Sequence, residues 1–472
     1  MLRIPLLRKG VPYVSLDVAR PVHHQTGQPY VEISQANVGL IRRDLVDQDT
    51  TWRALQGLPV SRLLAMCREA ADRFLTDRLP IGDAAQSPDD YLEQLNATTG
   101  MPFAMGRRNM QKIAGVLRNM EAILAGLTRN LDLGVLDTGH AEAGGQTLSF
   151  FPRANALGVV LPSNSPGVHG LWAPSVALKM PLVLKPGGSE PWTPYRMIQA
   201  FIAAGCPPEA FSYYPSSHAG AGEIVRQTRR SMFFGDTSAV GAYAGDPRIE
   251  IHGPGFSKVV IGRDLIDRWP DYLDLIAESV AANGGRSCIN ASGVWVPSHA
   301  AEIADALAAR LAAIVPLAPD DERASLAPFV DPRVAERISQ QIDIGLQEPG
   351  AREATAAHRG TGRLVVVDGR TYLLPTAIHC DAPSHPLANR EFLFPYVAVV
   401  EAPEEEMPAC FGQTLVVTAI TEDADLRARL LASELVGRLN LGPIPTPEIS
   451  WDQPHEGNLF ELLYGRRAFQ EV

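Results

Sequence analysis

The stretch Ala156–Gly188, ALGVVLPSNSPGVHGLWAPSVALKMPLVLKPGG, contains two short apolar runs, ALGVVLP and PLVLKP, on either side of a segment that we predict to be helical from Trp172 to Lys179. The pattern continues with a helix predicted up to Gly205, the run FSYYP, a helix after Gly222 and the run SMFFG. Short apolar runs that alternate with helices predict a parallel sheet, because parallel neighbours need a crossover connection. Such sheets bind ligands at the carboxyl ends of their strands.

A second alternating block begins near Ile251 with the run KVVIG. It continues with a helix predicted from Pro270 to Asn283, the run SGVWVP, and a helix of alanine and leucine that we expect Ser298 to cap. Later predicted elements are a helix after Asp331 and strands around Arg363–Val367 and Tyr396–Val400. The two blocks together predict an α/β protein with two doubly wound parallel-sheet domains.

The rest of the chain shows weaker patterns. The first 150 residues are predicted to be mostly helical, with Ser87–Asp90 as a helix start in which serine is the cap and proline opens the first turn. Ala351–Gly362 is polar and contains glycine, so we predict a surface loop. Near the end, PIPTPEISWDQPHEG predicts an extended arm, followed by one short helix from Asn458 through Phe469.

Composition and charge exclude several classes of function. The formal net charge of −11 disfavours nucleic acid and anionic membranes, because an acidic surface repels both. The sequence has no apolar run long enough for a signal peptide or a membrane span, so we expect a cytoplasmic protein. Small-molecule chemistry is the remaining expectation.

The cysteines at positions 67, 206, 288, 380 and 410 lie far apart, without the paired spacing of a zinc site or a redox dithiol. We therefore expect no metal. Cys288 differs from the others because it lies in NGGRSCINAS, where two glycines and a serine predict a flexible loop that exposes a thiol beside a strand. A lone cysteine beside a strand is more often a small buried hydrophobe, so the surrounding sequence has to decide between the two.

Four strings, in this order along Ala156–Gly442, resemble the aldehyde dehydrogenase superfamily. The opening stretch resembles the family's run from its oxyanion asparagine to its cofactor-binding lysine, and FFGDTSAVG is similar to its phenylalanine-glycine-serine segment. GGRSC stands where the family has its nucleophile loop, and NREFLFPYVAVVEA resembles its glutamate-phenylalanine-glycine-proline segment. The resemblance implies an aldehyde dehydrogenase-like fold with a small oligomerisation arm.

The resemblance assigns the catalytic roles. The thiolate of Cys288 would attack an aldehyde or acyl carbon and form a thiohemiacetal or a thioester. Asn164 would donate its side-chain amide, together with the backbone N–H of Cys288, to the developing oxyanion, a contribution of about 3 kcal/mol. Without the resemblance, Asn164 would be interpreted as a turn residue between two serines.

The resemblance also assigns residues to a bound NAD or NADP. Lys185 would hydrogen-bond the adenosine ribose, Glu391 would hold the nicotinamide ribose, and Phe394 belongs to the same cofactor segment. Gly222 is expected just before a helix whose N–H groups can bind pyrophosphate, and Gly235 would let the backbone approach the cofactor. The chain has no GxGxxG fingerprint, which the superfamily does not require.

Two departures from the family pattern bear on the reaction. Hydrolytic members carry a glutamate that activates water, and the matching string IEIHGPGFSKVVIG places Ile251 there. Glu250 and His252 flank this position, and on an extended strand their side chains would point to the face opposite Ile251. A shift of the register by one residue would bring either into place, so both stay candidates for the general base. HGPGFSKVVIG is more similar to CoA-acylating members, which lack that base and use a CoA thiol instead. Gly187-Gly188 replaces a glutamate that often selects NAD, so NAD and NADP both remain open.

We therefore predict an acylating aldehyde dehydrogenase that converts aldehyde, NAD(P)+ and CoA to acyl-CoA, or catalyses the reverse reduction of an acyl thioester. The alternatives are a hydrolytic enzyme with Glu250, His252 or Glu278 as the base, a reductase of acyl phosphates, and a non-catalytic scaffold. By resemblance, residues 1–250 form a helical shell and dinucleotide-binding domain, residues 251–438 a catalytic domain, and residues 439–472 a C-terminal arm. Residues 140–155 would contribute to the oligomerisation element of a homodimer or tetramer.

Overall fold

The computed structural model describes residues 1–454 and 456–470. It divides into two compact units. The first comprises Met1–Thr98, Gly106–Gly253 and the chain from Ser450 onward, and the second comprises Thr99–Met105 and Pro254–Ile449. Among the described residues, no helix is long and apolar enough to cross a bilayer.

The strands, in chain order, are β1 (Leu2–Ile4), β2 (Leu6–Arg8), β3 (Val11–Tyr13), β4 (Val18–Ala19), β5 (Val31–Ser34), β6 (Leu79–Ile81), β7 (Ala84–Gln86), β8 (His140–Ala143), β9 (Gln146–Pro152), β10 (Leu157–Val160), β11 (Leu182–Lys185), β12 (Phe211–Tyr213), β13 (Arg230–Phe234), β14 (Ile249–His252), β15 (Ser257–Ile261), β16 (Ala291–Val296), β17 (Ala351–Glu353), β18 (Leu364–Val367), β19 (Arg370–Leu373), β20 (Thr376–Cys380), β21 (Tyr396–Glu401), β22 (Thr414–Ile420), β23 (Val436–Leu441) and β24 (Tyr464–Arg467).

The α-helices are α1 (Val38–Leu45), α2 (Asp49–Gln56), α3 (Val60–Thr76), α4 (Pro88–Thr99), α5 (Phe103–Arg118), α6 (Met120–Leu127), α7 (Val135–Thr138), α8 (Pro174–Ala177), α9 (Trp192–Ala203), α10 (His218–Gln227), α11 (Thr237–Gly241), α12 (Leu273–Ala281), α13 (Ala300–Ala312), α14 (Pro332–Gly345), α15 (Ala424–Leu431) and α16 (Leu459–Leu463). Short 3-10 helices cover Pro166–Gly170, Pro208–Ala210, Ile266–Tyr272, Ala282–Gly285, Ala354–His358, Glu404–Glu406 and Ala409–Phe411.

The first unit is built on a seven-stranded sheet in the order β14-β13-β10-β11-β12-β2-β3. The five strands from β14 to β12 are parallel, and the hairpin β2–β3 adds an antiparallel edge. All four residues of the central strand β10 are buried, as expected for a strand with helices on both faces of its sheet. The parallel sheet predicted from Ala156–Gly188 is confirmed.

The second unit is built on a seven-stranded sheet in the order β17-β20-β21-β16-β15-β22-β23, parallel except for β17. Neighbouring residues of β15 enter different hydrophobic cores: Val259 and Ile261 lie in one cluster and Val260 in the other. Side chains alternate between the two faces of a strand, so this sheet has a core on each face. The prediction of a doubly wound α/β fold is confirmed.

Several predicted helix starts also hold. Ser87 and Asp90 exchange hydrogen bonds at the start of α4, with Asp90 N–H donating to Ser87 Oγ at 3.1 Å and Ser87 N–H donating to Asp90 Oδ2 at 2.8 Å. Asp331 caps α14 by accepting from the N–H of Arg333 at 3.1 Å. The cap of α13, in contrast, is His299 in a left-handed conformation and not Ser298.

Two predicted helices are shorter than expected. Of Trp172–Lys179, only Pro174–Ala177 is α-helical, because proline lacks the N–H that would continue a preceding helix and instead opens a new one. Pro270 lies inside the 3-10 helix Ile266–Tyr272, and α12 begins only at Leu273.

The C-terminal region and the predicted loop contain strands. The helix predicted through Phe469 ends at Leu463, and β24 then pairs antiparallel with β9, the central strand of a three-stranded sheet β24-β9-β8. Ala351–Gly362 includes the edge strand β17. Both corrections arise from pairing with a distant strand, which local patterns do not reveal. Of the predicted arm, residues 455, 471 and 472 lie outside the described residues.

Candidate active site

In the second unit, Cys288 lies in a tight turn between α12 and β16. Three successive residues, Asn283, Gly284 and Gly285, have positive φ values of 52°, 64° and 67°, which reverse the chain just before the cysteine. Cys288 is half-buried, whereas Cys67 and Cys380 are buried and burial raises the pKa of each of their thiols to about 12. The partial exposure of Cys288 fits a thiol that a substrate has to reach.

Asn290 holds this turn in place. Its side-chain oxygen accepts from the N–H of Ser287 at 2.9 Å, and its amide donates to the carbonyls of Ser279 and Ala282 at 3.1 and 2.9 Å. The side chain is buried, so these bonds are protected from competition with water. Sequence reasoning passed over Asn290, although a polar residue directly before an apolar strand was a usable signal.

The turn that precedes β15 packs against the nucleophile loop. A Cβ added at Gly255 would lie 2.0 Å from the carbonyl oxygen of Cys288, so only glycine permits this approach. Ser257 Oγ donates a hydrogen bond to the same carbonyl at 2.8 Å. Gly255 and Ser257 therefore support the Cys288 backbone.

Glu391 and Phe394 lie beside the same loop. Gly285 packs against the backbone of Phe394, since an added Cβ would lie 2.4 Å from the Phe394 carbonyl carbon. The Phe394 ring is buried in an aromatic group with Phe392 and Tyr396. Glu391 Oε2 accepts from the N–H of Phe256 at 2.6 Å. The structure thus brings Cys288, Glu391 and Phe394 together in the second unit.

This cluster lies at the opposite edge of its sheet from the one expected. Cys288 precedes β16, Gly255 precedes β15 and Phe394 precedes β21, so all three lie at the amino ends of parallel strands. The carboxyl-end rule that applies to ligand sites of many parallel sheets therefore does not describe this cluster. Close packing of glycines, and not an open strand end, shapes this loop.

In the first unit the predicted residues Asn164, Lys185 and Gly235 lie at the carboxyl ends of parallel strands. Lys185 ends β11 beside Val160, the last residue of β10, and burial lowers the pKa of its ammonium. Asn164 follows β10 in a loop fixed by Asn109, whose Oδ1 accepts from the N–H of Gly167 at 3.0 Å. Gly235 follows β13 and donates its N–H to the carbonyl of His252 at 3.2 Å.

Gly222 does not precede a helix as predicted. Helix α10 begins at His218, and its first backbone hydrogen bond runs from the N–H of Ala221 to the carbonyl of Ser217. The N–H groups left for a ligand thus belong to the residues before Ala221, and Gly222 lies two positions too late. The expectation failed because glycine favours helix ends only on average, and this helix contains two.

His252, one of the two candidate bases, is enclosed by carboxylates. Its Nδ1 lies 2.8 Å from Glu456 Oε2 and its Nε2 lies 3.3 Å from Glu250 Oε1, while its ring stacks on Phe234 at 4.4 Å. Both contacts lack hydrogen-bond angles and act as ion pairs. Burial lowers the pKa of His252, but the two carboxylates outweigh burial and raise the pKa to about 10. The ring is therefore protonated at neutral pH.

The carboxylate of Glu250 is also engaged in contacts within the protein. A Cβ added at Gly457 would lie 2.7 Å from Glu250 Oε1, so this carboxylate is covered by the C-terminal segment as well as paired with His252. Glu456, which completes the group, was not predicted, because it follows His252 by 204 positions and no local pattern links the two.

Parallel sheets with polar side chains at strand ends are typical of α/β enzymes that bind a ligand there. The sequence model of the aldehyde dehydrogenase family matches residues 82–407, well over half of the chain. The chain therefore belongs to the aldehyde dehydrogenase family, and it is an NAD(P)-dependent oxidoreductase that acts on aldehydes. No curated protein sequence matches the chain.

Solved structures show the same fold at low sequence identity. The aldehyde dehydrogenase KauB from Pseudomonas aeruginosa superposes with a TM-score of 0.80 at 16% identity, over 99% of this chain and 96% of that chain. An indole-3-acetaldehyde dehydrogenase solved with NAD+ gives 0.79 at 16% identity, over 99% and 96%. A gamma-glutamyl-gamma-aminobutyraldehyde dehydrogenase from Burkholderia cenocepacia gives 0.76 at 18% identity, over 99% and 96%.

The residues of the first unit fit a dinucleotide. Ser216 Oγ is buried without a hydrogen-bond partner among the described residues, and it lies just before the first turn of α10. A hydroxyl beside unbonded helix N–H groups suits a phosphate, and the ammonium of Lys185 on the neighbouring strand suits a ribose. These residues would hold NAD(P), which supplies the hydride acceptor. The individual cofactor and catalytic roles stay predictions.

Proposed function

We propose that this chain is a CoA-acylating aldehyde dehydrogenase that forms a thioester at Cys288. The observation that carries the proposal is the enclosure of His252 between Glu250 and Glu456. A residue that activates water must accept a proton, and a histidine whose pKa is raised to about 10 already holds one at neutral pH. Glu250 faces this cation and is covered by Gly457.

Release of the acyl group from Cys288 therefore needs a nucleophile that requires little activation. A thiol ionises far more readily than water, so the thiol of CoA meets this condition. In the proposed reaction the thiolate of Cys288 attacks the aldehyde carbon to form a thiohemiacetal. Bound NAD(P) would supply the hydride acceptor that converts this adduct to the thioester. The CoA thiolate, whose proton has gone to solvent, then attacks the resulting thioester and expels the thiolate of Cys288. Asn164 and the backbone N–H of Cys288 are the proposed oxyanion donors.

A hydrolytic enzyme is the second candidate. The solved structures that share the fold carry the names of aldehyde dehydrogenases such as indole-3-acetaldehyde dehydrogenase, which favours release of a carboxylate. For this chain a hydrolytic reaction requires a base other than the paired Glu250 and His252. Glu278, named from the sequence, is the remaining candidate.

CoA dependence separates the two candidates. We would measure NAD(P)H formation from a panel of aldehydes with and without CoA, and again with phosphate in place of CoA. Turnover only with CoA, lost in Cys288→Ala and kept in the control Cys410→Ala, supports the proposal. Carboxylate formation without CoA contradicts it and supports the hydrolytic enzyme. Dependence on phosphate supports the acyl-phosphate alternative.

Assembly is a separate proposal. The sheet β24-β9-β8 joins residues 140–155 to the C-terminal segment and exposes 39% of Phe151. We propose that this sheet pairs with a second copy to form a homodimer or tetramer. Light scattering of the purified chain and of Phe151→Glu tests it, because a charge at the contact would reduce the mass.

A further inference from the structure

Lys258 lies almost fully buried in the strand β15, and neither the family resemblance nor the proposed reaction uses it. We propose that Lys258 is a positioning residue for the nucleophile, which holds the Cys288 loop through the backbone of Phe256. The inference rests on the proposed role of Cys288. Four contacts of the second unit, taken in order from Lys258 to Cys288, carry it.

The first contact is the set of hydrogen bonds that the Lys258 ammonium donates. Lys258 is 1% exposed, and its Nζ donates to the carbonyl of Phe256 at 2.7 Å, to Asn389 Oδ1 at 3.0 Å and to Thr414 Oγ1 at 3.1 Å. Three acceptors match the three N–H groups of an ammonium. A buried charge with neutral partners costs stability, and an apolar side chain of similar volume would pack here at lower cost. Its presence therefore points to a role other than stability.

The second contact is made by the backbone N–H of Phe256, the residue whose carbonyl accepts the bond from Lys258. Phe256 has a φ of 47°, a left-handed conformation that costs a residue with a side chain about 1 kcal/mol. Glu391 accepts the Phe256 N–H at 2.6 Å while Lys258 binds the Phe256 carbonyl. A cation and an anion thus hold the two ends of one strained residue, and removing either releases it.

The third and fourth contacts reach the nucleophile. Gly255 and Ser257, the neighbours of Phe256, both touch the Cys288 carbonyl, one through close packing and the other through a 2.8 Å hydrogen bond. A change in the Phe256 conformation therefore moves the Cys288 backbone. Displacements of about 1 Å at a reacting group can cost about 100-fold in rate.

The charge of Lys258 changes with pH near neutrality. Burial lowers its pKa to about 7, while the nearby Glu391 and Cys410 oppose this by favouring the charged form. Loss of a proton leaves two N–H donors for three acceptors. The hold on Phe256 therefore weakens as pH rises, which a purely space-filling residue would not cause.

The test is the alkylation rate of Cys288 by iodoacetamide, followed by mass spectrometry of the Cys288 peptide, so that turnover is not needed. We expect Lys258→Met to change this rate about tenfold or more and Lys258→Arg to restore most of it, because arginine keeps the charge. The matched control is Lys179→Met, which removes a buried ammonium paired with Asp137 at 2.5 Å in the first unit. The control should lose stability and leave the alkylation rate unchanged.

Three results separate the possible failures. Equal rates in Lys258→Met and the wild type overturn the positioning role. A wild-type Cys288 that iodoacetamide does not modify, with or without NAD(P), overturns the proposed function. Ser257→Ala, which breaks the last contact without touching the buried charge, covers the case in which Lys258→Met does not fold, and an unchanged rate in Ser257→Ala also overturns the inference.

Discussion

Gly255 lies directly against the carbonyl of Cys288, so closely that an added Cβ would be 2.0 Å from the oxygen. Gly255→Ala therefore has to displace the nucleophile loop. We expect loss of activity of about 100-fold or more and a loss of stability of about 1–3 kcal/mol. Steady-state kinetics and urea unfolding measure the two effects.

The neighbouring Gly253→Ala is the control for this substitution. Its Cβ would meet the Val240 side chain at 3.7 Å, an ordinary van der Waals contact. Activity near the wild-type level is expected for Gly253→Ala. Full activity in Gly255→Ala would show that the close contact has no part in placing Cys288.

Glu456→Gln should lower the pKa of His252. The attraction of Glu456 is the largest influence raising that pKa, and its removal should lower it by about one to three pH units. NMR titration of the His252 ring measures this change, with Glu461→Gln, an exposed position in the same segment, as control. A His252 that titrates near its ordinary pKa of about 6.5 in the wild type would restore it as a candidate base.

The ion pair between His252 and Glu456 makes the free energy of unfolding depend on pH. Because the folded pKa of His252 is raised to about 10 above an unfolded value of about 6.5, the pair contributes fully below pH 6.5 and its contribution is lost as pH rises through 10. The free energy of unfolding of the wild type, measured against His252→Gln, should therefore fall across this range. A difference that stays constant with pH would contradict the pairing.

The lowered pKa of Lys258 predicts that the free energy of unfolding changes with pH in the opposite direction. Its pKa is lowered to about 7 in the fold and is about 10.4 when unfolded, so between these values the unfolded chain binds more protons. The free energy of unfolding of the wild type relative to Lys258→Met should rise with pH from 7 to 10, by at most about 1.4 kcal/mol per pH unit. Denaturant unfolding at several pH values checks the slope, and a flat difference would mean that the lysine is not desolvated.

Glu391 has two roles to separate: the predicted contact with the nicotinamide ribose and the observed bond to Phe256. Glu391→Gln keeps an oxygen for the Phe256 N–H but removes the charge, whereas Glu391→Ala removes both. We expect the KM for NAD(P) to rise about tenfold in both variants and the Cys288 alkylation rate to change only in Glu391→Ala. Unchanged KM values in both would exclude the ribose role.

The sequence by itself determined what local pattern encodes. Apolar runs separated by helical segments predicted β10, β11 and the parallel sheets, because burial on both faces demands continuous apolar strands. The helix start at Ser87–Asp90 could also be predicted from the sequence, because its hydrogen bonds join residues that are only three positions apart. Cys288 stood out only through its glycine-rich surroundings and the resemblance of four strings to one family.

Tertiary structure decided everything that depends on partners far apart in the chain. Lys258 meets Asn389 and Thr414, which are 131 and 156 positions away, and His252 meets Glu456, which is 204 positions away. The charge that each side chain carries at neutral pH follows from these contacts and from burial, neither of which a local pattern contains. The pairing of β24 with β9 and the position of Cys288 at the amino ends of its strands were decided in the same way, by chain crossings that only the folded molecule defines.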